Sequence, residues 1–120
     1  MSLLMNIENK MSSGYIVTLN GSLDGKTCAD CEAKLNPIVI PETKAIMFEM
    51  SNLHHISSMG LRVLFKAKKV IEGNGGVVPL INMQPKIKKV FQIAHLLHGM
   101  TLFASITAAN QYFDAMHKEV

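Results

Sequence analysis

The period of the apolar positions changes several times along the chain, and each change marks an expected element. Residues 3 to 9 and Tyr15-Ile-Val-Thr-Leu-Asn20 have strand character, and Ser12-Ser13-Gly14 between them is turn chemistry, so an N-terminal β-hairpin is expected. Gly21 breaks that pattern. Asp24 or Gly25 is placed to start a helix running towards Leu35, with Pro37 as its stop. Ala45-Ile-Met-Phe-Glu-Met50 is an almost continuous apolar run of strand length, which fits a strand buried on both faces near the centre of a sheet.

Beyond it, Leu61, Leu64, Phe65 and Ile71, helped by Val63, Ala67 and Val70, make a wide helical apolar face, with Arg62, Lys66 and Lys69 on another, up to Gly73-Asn-Gly-Gly76. Val77 to Ile81 reads as a strand in which Pro79 lacks a ladder donor, pointing to an edge or a bulge. Asn82 to Pro85 offers a cap and a proline in the first helical turn. Ile87, Val90, Phe91 and Ala94 then recur at i, i+3, i+4 and i+7. Thr101 to Ala104 is a short last strand. Ser105 or Thr107 caps a final helix carrying Ala109, Tyr112, Phe113 and Met116.

From residue 44 onwards the order is therefore β-α-β-α-β-α, and such alternation implies parallel strands joined by helical crossovers. The class is α/β: a small, mixed, mostly parallel sheet with an N-terminal hairpin, packed by about four helices. No repeat, low-complexity stretch or linker divides the 120 residues, so a single domain over 1–120 is expected.

Composition narrows the function. At 48% hydrophobic residues the chain can bury a core without metals or disulfides. No apolar run reaches the roughly 18 residues that span a bilayer. Met1 to Lys10 carries Glu8 and lacks the charged and apolar regions of a signal peptide, so the chain is expected in the cytoplasm with no membrane insertion. The net charge of +3 permits nucleic-acid contact, but two tyrosines and no tryptophan leave little for stacking on bases.

Enzyme chemistry lacks its partners. Cys28-Ala-Asp-Cys31 has redox spacing but falls inside the first helix, without the preceding strand that would set a thiol at a helix N-terminus, and is expected to be a reduced structural pair. Zinc would need a second pair of ligands, which His54, His55, His95, His98 and His117 do not supply at a finger spacing. Ser58 beside His55 lacks the nucleophile elbow of a hydrolase, and neither a phosphate-binding loop nor a dinucleotide fingerprint occurs. No cofactor is expected.

The two serines of His54-His-Ile-Ser-Ser-Met-Gly-Leu61 remain. A serine at a helix start is most often an N-cap contributing about 1 kcal/mol, and one cap needs one hydroxyl. The second can stand exposed where a phosphate would meet free N–H groups and the positive end of the helix dipole. Gly60 would keep that surface bare for an approaching protein.

Ile56-Ser-Ser-Met-Gly-Leu-Arg-Val-Leu64, following an apolar strand, resembles the signature of STAS domains of the anti-sigma factor antagonist family. Gly21-Ser-Leu-Asp24 with Thr27 resembles the family's G-x-L-D…T segment, and Gly75-Gly76, Pro85, Val90 and Phe91 resemble its second half, so nearly the whole chain is covered. The resemblance implies a non-enzymatic switch. Ser58, two places before the signature glycine, would be the phosphoacceptor of an anti-sigma factor serine kinase with a histidine-kinase-like ATP fold. The unphosphorylated form would bind that kinase and free the sigma factor, and a PP2C-type phosphatase would restore it. Asp24, Thr27, Ser57, Met59, Gly60 and Arg62 are expected to surround Ser58 on the docking surface. The chain has Ser57 where the best-known antagonists of the family carry Asp. STAS domains also serve as unswitched scaffold subunits, for example of lipid-transport complexes, which is the alternative.

Overall fold

The computed structural model describes residues 2–11, 13–93 and 102–103. The elements, in chain order, are β1 (Leu3–Met11), β2 (Gly14–Leu23), α1 (Cys28–Leu35), β3 (Ala45–Ile56), α2 (Ser58–Gly73), β4 (Leu80–Ile81), α3 (Pro85–Ile93) and β5 (Leu102–Phe103). They form one five-stranded sheet in the order β1-β2-β3-β4-β5. β1 and β2 pair antiparallel as the expected hairpin, and every later pairing is parallel.

Sequential parallel strands with right-handed crossovers put their connecting helices on the same side of a sheet. The core shows this directly. Cys31 and Leu35 of α1, Leu61, Leu64 and Ile71 of α2, and Ile87 and Phe91 of α3 join one buried cluster with Val17, Leu19, Ile46, Phe48 and Met50 of the sheet. Because successive strand residues point to opposite faces, the alternate residues Ile16, Ala45 and Met47, with Ile81, make a second buried cluster on the other face. Residues 45 to 50 are thus buried on both sides, as their unbroken apolar run requires.

Several boundaries depart from the sequence expectation. β2 continues past Gly21 to Leu23 instead of stopping at Asn20. Gly21 adopts φ of +111°, and the register against β3 shifts between Gly21 and Ser22, so the glycine absorbs an irregularity within the strand. β3 likewise runs to Ile56 rather than Met50, because the end of β2 pairs with it as Ser22 to His55 and Leu23 to Ile56. α1 begins at Cys28, and Asp24 to Thr27 form the turn before it.

Pro79 lies neither on an edge nor at a bulge. The Ala45 to Val77 bridge and the Phe48 to Leu80 pair keep the same offset, and β5 lies beyond β4. The Pro79 carbonyl accepts the Phe48 amide at 3.0 Å; only the N–H that position 79 would direct at the Ile46 carbonyl is missing. Regular β4 therefore shrinks to two residues. The expected last strand is present as Leu102–Phe103, while the final helix with Ala109, Tyr112, Phe113 and Met116 lies outside the described residues.

Candidate functional site

The site is the junction where β3 ends and α2 begins. The Ser57 amide donates to the Leu23 carbonyl at 2.9 Å, which ties the start of α2 to the end of the neighbouring strand. Ser57 has extended dihedrals (φ −97°, ψ 173°), and its Oγ accepts the Gly60 amide at 3.2 Å. Its carbonyl accepts the Leu61 amide at 2.9 Å. These are the bonds of an N-cap, and they occupy the Ser57 hydroxyl.

Ser58 is the first helical residue and is exposed. With Gly60 and Leu61 already bonded to Ser57, the amides left for an incoming anion in the first turn are those of Ser58 and Met59, for which no acceptor occurs among the described residues. The first turn holds no acidic side chain, and exposed Arg62 follows one turn later. A phosphate on Ser58 Oγ would thus meet the positive end of the dipole with a cation within helical i, i+4 reach.

Gly60 has a different role from the one its position suggests. It is buried, and a Cβ there would come within 2.6 Å of the Leu23 carbonyl oxygen, 2.8 Å of Leu23 Cγ and 3.0 Å of Ile56 Cγ1. The glycine lets α2 sit against the strand ends. It does not bare the outer surface, which at this point is made by Met59, 51% exposed. Met59 lies over the α1 approach, since a Cβ on Gly25 would lie 3.3 Å from its Sδ.

Asp24 and Thr27 hold each other. The Asp24 amide donates to Thr27 Oγ1 at 3.0 Å, the Thr27 amide donates to Asp24 Oδ1 at 3.2 Å, and Thr27 Oγ1 donates to the Ser22 carbonyl at 2.8 Å. This reciprocal pair has the logic of a capping box, with the role of N3 taken by threonine. The Lys26 amide also donates to Asp24 Oδ1 at 2.9 Å. That bond is the main reason the Asp24 carboxyl is held below its ordinary value of 3.8; the bonds from Thr27 and the charge of His55 add to it, against partial desolvation. His55 therefore belongs to the electrostatics of the Asp24 turn. The register explains why, since it pairs with Ser22 two residues before Asp24.

Cys28 and Cys31 are free and buried. Burial, then the neighbouring charges of Asp30, Cys28 and Glu32, pushes the Cys31 thiol up to about 12, so it is a core side chain rather than a thiolate nucleophile. Among the described residues no group of His, Cys, Asp or Glu could hold a metal ion, and no helix is long and apolar enough to cross a membrane.

Residues 6–109 match the model of the STAS domain. The chain is 27% identical over 105 residues to a candidate anti-sigma factor antagonist, BtrV, of Bordetella bronchiseptica, covering 88% of this chain and 90% of that protein. Its fold is similar to the crystal structure of an anti-sigma factor antagonist from Mycobacterium paratuberculosis, with a TM-score of 0.80, 16% identity, and 92% of each chain covered. It is also similar to the Bacillus cell fate determinant SpoIIAA in its phosphorylated form, with a TM-score of 0.73, 21% identity, and 91% of this chain and 99% of that one covered.

Proposed function

The chain belongs to the STAS domain family, whose members of the antagonist type are binding modules rather than enzymes, and from that premise we propose that it is an anti-sigma factor antagonist switched by phosphorylation of Ser58. The supporting observation is the division of labour between the two serines. Ser57 is consumed as the N-cap by its bond from the Gly60 amide, which leaves Ser58 as the exposed hydroxyl at the helix start. Ser57 stands where well-known relatives carry Asp, and both residue types cap helices well. The replacement keeps the cap and leaves the next residue as acceptor.

Unphosphorylated, the surface built by Ser58, Met59 and Arg62 with the Asp24 turn binds an anti-sigma factor serine kinase in the cytoplasm and releases the sigma factor. A phosphoryl group of about −1.5 to −2 charge at the centre of that surface adds repulsion and desolvation cost, and a PP2C-type phosphatase reverses it. No change of fold is required.

The test is intact-mass and peptide analysis after incubation with ATP and the cognate kinase, for the wild type, Ser57→Ala and Ser58→Ala. A gain of one phosphate lost only in Ser58→Ala is the expected result. No gain with a kinase active on another substrate would reduce both serines to structural roles and leave an unswitched scaffold as the function.

A further inference from the structure

The face of α2 running on from Ser58 carries Arg62 and Lys69 over its first three turns, before Glu72 follows on the same side. Ser58, Arg62, Phe65 and Lys69 fall at i, i+4, i+7 and i+11, so they share one stripe about 16 Å long at a rise of about 1.5 Å per residue. With Leu61, Lys66 and Val70 they line a shallow depression of about 540 Å³. Its floor is apolar, and Val70 is 37% exposed although it sits mid-surface. Among the described residues, three cations border it and no acid does. Lys66 is held at 3.1 Å by Glu32 of α1, whereas Arg62 and Lys69 have no acidic partner among the described residues.

We propose that this stripe is the docking groove for an acidic amphipathic helix of a partner protein, laid along α2 with its carboxylates on Arg62 and Lys69. Charge complementarity selects the occupant. Two cations seven residues apart on one helix face match carboxylates two turns apart on another, and Leu61, Phe65 and Val70 between them offer the apolar floor that a helix-in-groove contact needs. Nucleic acid fits less well, because the floor is largely aliphatic and offers one phenyl ring for stacking among the described residues. Ser58 lies at the head of the stripe, so a phosphoryl group there supplies in cis the negative charge that the partner brings in trans. That last step alone rests on Ser58 being the switched residue; the groove does not.

The test is titration of the full-length, isotopically labelled protein, followed by amide NMR shifts, with a synthetic helix of about 15 residues carrying Glu at i, i+4 positions beside a Leu face. A twin with Lys in place of Glu and a thymidine oligonucleotide serve as comparison probes. The acidic helix is expected to shift amides of residues 58–70 and the Lys twin to leave them unmoved. Arg62→Glu and Lys69→Glu should each weaken binding by roughly tenfold, with the rest of the spectrum unchanged, while Lys10→Glu on β1 should have no effect. Equal response to both helices, shifts outside α2, tighter binding of the oligonucleotide, or contacts from residues 105–120 filling the stripe would each overturn the proposal. Undiminished binding after Ser58→Glu would support the groove and overturn only its coupling to Ser58, a result distinct from failure of Ser58 to accept phosphate.

Discussion

Ser57 Oγ accepts the Gly60 amide at 3.2 Å, and that bond separates two serines that are chemically identical and adjacent in the chain. One hydroxyl is tied into the backbone of the first turn, and the other faces outward.

Ser57→Ala should therefore lose about 1 kcal/mol of stability, the usual cost of a missing cap, and still accept phosphate. Ser58→Ala should change stability by no more than about 0.5 kcal/mol, as for an exposed surface position, and lose the phosphate. Urea denaturation and mass measurement on the same pair of variants check both halves.

Gly60→Ala should behave as a packing defect. Its Cβ would overlap the Leu23 carbonyl and the side chains of Leu23 and Ile56, and forced overpacking typically costs about 1–3 kcal/mol. Circular dichroism melts should show the loss, whereas Met59→Ala, at a largely exposed position, should melt as the wild type does and weaken partner binding.

The Asp24 turn carries an acid-dependent contribution. Its folded carboxyl lies below the ordinary value of 3.8, so its contribution is complete above that value and is lost as pH falls through the depressed native value. Stability measured against pH should thus show a shallower acid limb in Asp24→Asn than in the wild type, with the difference developing below about pH 4. Equal limbs would mean that the Lys26 and Thr27 amides do not favour the ionised form.

Cys31 should resist alkylation in the native protein at pH 8, because burial holds its thiol protonated up to about 12. Iodoacetamide labelling followed by mass measurement should modify it only on addition of denaturant. Rapid native labelling would show that α1 opens locally.

The period changes along the chain were enough for the hairpin, the doubly buried strand at Ala45 to Met50, the order of the described elements and most of the buried faces of α2 and α3, since each depends on local spacing of apolar residues. Phe65 and Val70 are the exceptions on α2, half-buried and exposed rather than part of the core. Strand ends were not legible. β2 and β3 extend to Leu23 and Ile56 because each pairs with the other, and such pairing between distant residues leaves no period in either segment. Pro79 misled for a related reason, since a single missing donor in an interior parallel ladder looks the same in sequence as one at an edge.

At the site, sequence alone determined that two serines stand at a helix mouth with a glycine in the first turn and a basic stripe beyond. Only the tertiary structure decided what each one does. Ser57 is a cap because its backbone is held against Leu23, and Gly60 is a contact because α2 presses on the strand ends. Ser58 is exposed because the first helical residue after that cap points away from the sheet. The chemistry of a residue is written in its type, but its availability depends on what the rest of the fold has already claimed.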